Sequence, residues 1–546
     1  MQSSHDPAAG GQPDLSFSRR PRSPLGRRAV MTAGLTASLV AVTGQRSAVA
    51  ATAAQTAVSV IDHGAVGDGV SDDTAAVRSA VAAAVAQGRS LVFPRGTYLV
   101  DAPIVVRDAT NLHLDMQGRL RRRNASTADS LLRFINCTNV AAPSVRTDGN
   151  AANNGKVQSD GRWYPVDEVK HDVRFDSCRG VWIGYLESVN PAADVLYLAG
   201  GALRNSDIKI EHLMASADVP SGRSAVSVVA GDNLQFGTVR ARNVGCNTGV
   251  LVMPGGFQVE PNEGDSVSNI QVDDLMVHTS GATGLGLWSP RGPYIRNVRI
   301  GSVRLHKLAG THPNGCDVNI RGVVGASIGL LDHTSDPANT NQVLSIDQST
   351  DIALDVRIPR LGSRPVNFGY SGAVSRLQLT GSIANSTSHL LQVFNLDDSV
   401  LDLVLRDCGT TAAYVLKNAA GTSSRVRFRG DWRRGSRGAL CVTGPGRITD
   451  WFLEDLDMSG WVRDTRIKQG GTNYLSLIRK SRVEGLTTGT ARPYYDTWGQ
   501  GDYVENLKPT VLGLVGMRYV VRGWLCTRSG YASAATWVEC RMPTGG

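Results

Sequence analysis

The sequence has few aromatic residues (6%) and few charged ones (19%). After Val42 it has no apolar run long enough to cross a bilayer. Low charge with ample apolar content argues against a disordered chain. No dense Lys/Arg stripe with interleaved aromatics is present, which argues against nucleic acid as the partner. No Cys/His group has the close spacing of a zinc site. Glycine, in contrast, is abundant: 60 residues against 22 Pro. Val, Ile, Leu, Thr, Ser and Asn recur in short runs that glycine interrupts, the composition of a β-rich, turn-rich chain.

The formal net charge is +9, and the first fifty residues hold four of those charges through Arg19, Arg20, Arg22, Arg27, Arg28 and Arg46 against Asp6 and Asp14. A small, spread excess remains, a weak indication of an acidic glycan partner. The N-terminus reads as a targeting segment. An Arg-rich stretch ends at Arg27-Arg28, an apolar run follows from Ala29 to about Val42, and Ser47-Ala48-Val49-Ala50 offers a small-residue cleavage site. The twin arginine resembles a Tat signal, with an ordinary Sec signal as the alternative. Residues 1–50 are therefore expected to direct export, and the mature protein is expected outside the cell with no membrane span. Eight cysteines in an exported chain allow disulfides. Cys526 and Cys540, flanking a turn between two strand-like runs, are the most plausible pair. Cys137 and Cys178 occupy similar places in similar segments, as a stacked reduced pair or as a bond.

From His171 to about Val462 the chain divides into similar units of about twenty-five residues. One opens at Ser224, and others near Gly256, Gly284, Gly315, Val343, Val366, Leu391 and Tyr414. Each holds two or three short strands with alternating apolar positions, separated by Gly, Asn or Asp turns. One such unit cannot bury its apolar face alone, whereas stacked units bury a continuous core. The predicted architecture is an all-β solenoid over residues 51–485. Its open end needs a cover, and Ser71-Asp72-Asp73-Thr74 followed by residues 75–87 and Gly88 reads as a capping helix.

The stretch from Ile61-Asp62-His63-Gly64-Ala65 through Gly67-Asp68-Gly69 to Asp72-Asp73-Thr74, followed by Phe93-Pro94-Arg95-Gly96-Thr97-Tyr98, resembles the N-terminal signature of pectate-lyase-superfamily proteins. That resemblance implies a right-handed parallel β-helix. The fold hosts hydrolases, lyases, transferases and phage tailspikes, so it does not fix the chemistry. Arg223-Ser224-Ala225-Val226-Ser227-Val228 and Gly256-Phe257-Gln258-Val259-Glu260-Pro261-Asn262 resemble a second pattern, that of proteins related to glycoside hydrolase family 28. Gln258 stands where that pattern has Asp, and the paired-Asp and Gly-His-Gly motifs of true family members are missing. Residues 486–546 resemble a small aromatic-rich β module that closes many tailspikes and secreted β-helices. It reads either as glycan binding or trimer closure, or as Trp residues filling a small core. The relatives make a homotrimer one possible assembly and a monomer another.

With the opening glycines as register marks, Phe257, Leu285 and Cys316 are expected to face the core. The outer column then reads Gln258 and Glu260, Gly286 and Trp288, Asp317 and Asn319. Rung spacing places the backbones of Glu260 and Asp317 roughly 10–12 Å apart, and such a pair suits inverting glycoside hydrolysis. Glu260 is the expected general acid, Asp317 the base and Asp232 the reserve carboxylate. Gln258, Trp288, Asn319, Arg223 and His312 are the expected substrate contacts. The expected activity is therefore hydrolysis of a polysaccharide, with no cofactor. Two alternatives remain: β-elimination on a uronic-acid polymer, with Arg240, Arg242 or His312 as base and calcium to neutralise the carboxylate, and non-enzymatic glycan binding.

Overall fold

The computed structural model describes residues 57–546 except 158–160, 201–202, 249–250, 252, 309–314, 362–363, 388–389, 409–415, 419–420, 435–446, 450, 458–476, 480–487, 493–496, 499, 532–533 and 545–546. The export segment and the boundary drawn at 485 lie outside the described residues. Residues 55–546 form one compact unit.

Twelve short strands, from Ile104–Arg107 to Leu416–Asn418, pair in chain order into one parallel sheet. Seven of the eight predicted unit openings fall on or within two residues of one of them: Ser224 just before Val226–Val228, Gly256 in Gly255–Val259, Gly284 in Thr283–Trp288, Gly315 just before Cys316–Arg321, Val343 in Gln342–Asp347, Val366 in Val366–Phe368 and Leu391 in Leu391–Val393, while Tyr414 lies outside the described residues. Between them run longer strands such as Arg179–Val189, Asn205–Ser221, Gly231–Val244, Val267–Thr279 and Ile295–Lys307, each parallel to its counterparts in the rungs above and below. This is the coil of a right-handed parallel β-helix.

Two local devices shape each coil. The long strands skip one paired position at Gly184, Glu211, Gly237, Asp273 and Gly301, where the chain bends and starts a third wall. A Cβ on Gly237 would stand 2.3 Å from the carbonyl oxygen of Glu211, and one on Gly301 2.5 Å from that of Asp273, so these bends need glycine. At the turn into the long strands, Asn139, Asp207, Asn233, Asn269, Asn297 and Asp351 hold φ between +52° and +59°. Asn and Asp tolerate this left-handed region because their short polar side chains bond locally. Here they also bond to neighbouring rungs: Asn297 Nδ2 donates to Asn269 at 2.6 Å, and Asn269 Nδ2 donates to Asp232 at 2.8 Å.

The core is one continuous apolar cluster from Val58 to Ala535, with Phe134 stacked on Phe175 at 4.9 Å and the Phe236 ring edge-on to Phe257 at 5.1 Å. The helix Thr74–Gln87 covers the first rungs with Val77, Ala80, Val81 and Ala84, and stops at Gly88 with φ +60°. Asp73 does not cap that helix with its side chain. It is buried and accepts the amides of Val66 and Gly67 at 2.6 and 3.2 Å, tying down the glycine-rich loop. Asp72 instead receives the Thr74 amide at 3.0 Å. The N-terminal signature is thus spent on building the cap.

In residues 486–546, Trp498 and Trp524 are buried, and the Trp498 and Trp537 rings meet edge to face at 4.9 Å. The tryptophans therefore pack into the same apolar cluster as the β-helix core. Cys526 lies opposite Trp537 while Cys540 lies opposite Gly523, and both are free thiols. The predicted Cys526–Cys540 bond is not formed, because a three-residue offset is roughly 10 Å along a strand, beyond disulfide reach. Cys137 and Cys178 are buried free thiols that precede the paired residues Thr138 and Arg179.

Candidate functional site

The outer wall of the twelve-stranded sheet carries two side-chain columns. One runs Arg174, Tyr197, Ser227, Gln258, Gly286, Asn319 and Ser345, each in register with the next. The Gln258 amide lies across Gly286, its oxygen 2.0 Å from where a Cβ would stand, so a larger residue there would displace the Gln258 side chain. The second column continues each strand by two residues. Trp288 faces Arg321, which faces Asp347. Glu260 follows Val259, the partner of Leu287, so Glu260 and Trp288 sit on adjacent rungs about 4.8 Å apart at the backbone.

Asp317 is not on this wall. The pairing sets Val318, not Cys316, against Leu285, a shift of two residues from the predicted register. The cause is the corner where the chain enters the sheet. There two consecutive residues are buried in each rung: Asp172-Val173, Val195-Leu196, Ala225-Val226, Gly284-Leu285 and Asp317-Val318. Strict alternation from Gly315 crosses that corner and loses phase. Asp317 is fully buried, with His333 Nε2 at 2.9 Å, the side-chain amides of Asn339 and Asn341 both at 3.1 Å, and Lys307 Nζ at 3.6 Å. The expected Glu260–Asp317 pair across a cleft does not form. Asp232 sits on the other ladder, bonded by Ser268 Oγ at 2.6 Å and Asn269. His312 lies outside the described residues. Gln258, Asn319 and Trp288 are on the predicted wall, and Arg223 stands beside Glu260.

Glu260 has a partner the sequence reading missed. Arg223 reaches Glu260 at 3.7 Å with one guanidinium nitrogen and Asp194 at 3.4 Å with the other. Both carboxylates touch one planar guanidinium, which keeps the contacting oxygens within roughly 9 Å of each other. Asp194 also has His171 Nδ1 at 3.2 Å, and the His171 ring stacks on Tyr197 at 4.1 Å under the guanidinium of Arg174. His171, Asp194 and Ser224 hold matching positions on successive rungs, whereas Glu260 follows the far end of the next strand, and Arg223 joins the two.

Exposure separates their roles. Asp194 is fully buried, while the Glu260 side chain keeps 36% of its surface and Arg223 keeps 25%. Burial pushes the Glu260 carboxyl above its ordinary value; Arg223 opposes that shift and Asp194 adds to it. Burial acts on Asp194 in the same direction, but Arg223, His171 and Ser227 outweigh it and hold Asp194 below its ordinary value. Asp194 raises the Arg223 guanidinium further. Tyr197 is raised by burial and by Asp194. The arrangement is two carboxylates with divergent proton affinity around one fixed cation, the pattern by which acid and anion roles are divided. The buried oxygens Asp194 Oδ1, Ser224 Oγ and Gln258 Oε1 have no hydrogen-bond partner. Among the described residues, no group of three or more His, Cys, Asp or Glu is placed to hold a metal ion. His171, Asp194 and Tyr197 carry no recognisable motif. Their only signal in the sequence was position, one and two units upstream of Ser224.

Residues 57–120 match the family model described as rhamnogalacturonase A/epimerase, pectate lyase-like. The plasmin and fibronectin-binding protein A of Streptococcus pneumoniae is 45% identical over 62 residues, 11% of this chain and only 9% of that protein. Among solved structures, the N-terminal fragment of bacteriophage phi29 gene product 12 gives a TM-score of 0.48 at 15% identity, covering 81% of this chain and 80% of that one. An exopolygalacturonase from Thermotoga maritima gives 0.34 at 12% identity, covering 90% and 96%. With its matched N-terminal segment and its own parallel ladders, the chain is a pectate-lyase-like right-handed parallel β-helix.

Proposed function

We propose that this chain is an exported enzyme that hydrolyses a polysaccharide on the outer wall of the twelve-stranded sheet, with Glu260 as the proton donor. The observation that carries this reading is the state of Glu260. Its carboxyl stands at the rim, is raised by burial, and is held by Arg223 one rung from the Trp288 indole. A raised carboxyl stays protonated to higher pH than an ordinary one, as suits a donor to a leaving oxygen, and an indole face suits a sugar ring. Asp194 fixes Arg223 and His171, and Arg223 binds the substrate. No cofactor is needed for this chemistry. Hydrolysis is favoured over elimination because Arg223 and Tyr197 are both held in their protonated forms, and the groups beside them able to take a proton, Asp194 and His171, are buried.

A binding-only reading is favoured by one fact: Asp194 is sealed, so of the two carboxylates only Glu260 is reachable. Incubation with a panel of acidic and neutral polysaccharides separates the readings. New reducing ends without the ultraviolet absorbance of an unsaturated uronate mark hydrolysis, and that absorbance marks elimination. Retained binding without products marks an adhesin. Glu260→Gln is expected to lower cleavage about 10²–10⁴-fold, and a fully active variant would overturn the assignment.

A further inference from the structure

A second surface, far along the chain from this wall, carries an independent argument. Every residue from 507 to 518 is exposed. Six of the twelve are large and apolar: Leu507, Val511, Leu512, Leu514, Val515 and Met517, with Leu514, Val515 and Met517 at 78%, 78% and 76% exposure. Consecutive strand residues point to opposite faces. Val511 and Leu512 are nonetheless both exposed, so neither face of this hairpin packs on its own chain. Val511–Leu512 pairs on one edge with Tyr519 and Val520, and among the described residues its other edge has no partner strand. Met542, opposite Val520, is 46% exposed and extends the patch.

We infer that hairpin 507–518 is a self-association arm, through which the chain joins a second copy of itself. The apolar surface it shows is on the order of 700–800 Å², close to what each partner contributes to a stable protein interface and above the largest patch of a typical monomer. Its chemistry selects among the possible occupants. The arm has no aromatic residue on which a sugar could stack. Its two charges, Lys508 and Arg518, are too few to select an acidic partner. A lipid surface would take the side chains but leave the free edge with unpaired backbone groups, a costly state in hydrocarbon. A second identical edge satisfies both. Two such strands running antiparallel about a two-fold axis exchange backbone hydrogen bonds and bury both sets of apolar side chains.

Sedimentation of the full chain tests this, with Leu514→Asp/Val515→Asp and Met517→Lys as variants. These side chains are about three-quarters exposed, so the fold and its unfolding midpoint are expected to persist. Association is expected at micromolar concentration, weakened about a hundredfold or more in the double variant. A wild-type monomer at tens of micromolar overturns the inference, as does association untouched by the substitutions. So does capture by anionic lipid vesicles of a chain that otherwise stays monomeric.

Discussion

Glu260 and Asp317 are both carboxylates next to cations, yet they differ in what surrounds them. Glu260 sits at a rim and can lose its charge partner to water. Asp317 is sealed with Lys307 and His333, and Lys307 is itself buried and pushed below its ordinary value by that burial. Removing one member of a buried pair strands the other. Asp317→Ala is therefore expected to cost about 3–5 kcal/mol in denaturant unfolding, whereas Glu260→Gln leaves the midpoint near wild type and removes activity. If Asp317→Ala were stable and inactive, Asp317 would be a site residue after all. A third carboxylate, Asp172, makes a pH prediction. Burial, countered by Arg122 and Ser188, raises it from 3.8 to about 7. A carboxyl whose folded value is raised contributes stability that is complete below its unfolded value and is lost as pH rises through the folded one. The chain is expected to lose stability between about pH 4 and about pH 7, and Asp172→Asn to flatten that slope. Urea midpoints at the two ends decide it, and an equally steep slope in the variant refutes it.

At the scale of the element, strands and turns were legible because glycine and asparagine punctuate them. Seven predicted openings fall on or within two residues of strands of one sheet, since each turn needs a residue that tolerates φ above zero, and the eighth, Tyr414, lies outside the described residues. The corner was not legible. Two adjacent inward residues violate period-two alternation, and nothing in Gly315-Cys316-Asp317-Val318 distinguishes them from an ordinary strand start. That single bend explains why Gln258, Trp288 and Asn319 were placed on the outer wall and Asp317 was misplaced. Asp194 was missed for a different reason: its role comes from Arg223 folding back one rung, a contact between units that a repeat unit alone does not encode. The turn ladder makes its own prediction. Asn269, at φ +56°, accepts from Asn297 and donates to Asp232. Asn269→Ala loses both bonds and incurs the left-handed penalty of about 1–2 kcal/mol, whereas Asn269→Gly loses only the bonds. The Gly variant is thus expected to be the more stable of the two in thermal unfolding, and the reverse order would show that the ladder bonds, not the backbone, set the cost.

For the whole molecule, a stacked coil makes coupling a matter of distance along the axis. The N-terminal signature was legible as fold and silent on chemistry because Asp73, Gly67 and Gly96 are used up in the cap, with Gly96 packed against the Gly67 backbone. What lies beyond the cap is a series of rungs, each touching its neighbours, so stability is close to a sum of local terms. Phe257 tests this at the rung that carries Glu260. It is fully buried, edge-on to Phe236, and in register with Val226 below and Leu285 above. Phe257→Ala is expected to cost about 3–5 kcal/mol. In native-state hydrogen exchange the lost protection is expected first at Val226–Val228, Gly255–Val259 and Thr283–Trp288, and least at the distant strands Ile104–Arg107 and Ser130–Ile135. Even loss from cap to last rung would mean that the coil unfolds as one cooperative block. In that case the arrangement around Arg223 would be held by the whole solenoid rather than by its adjacent turns.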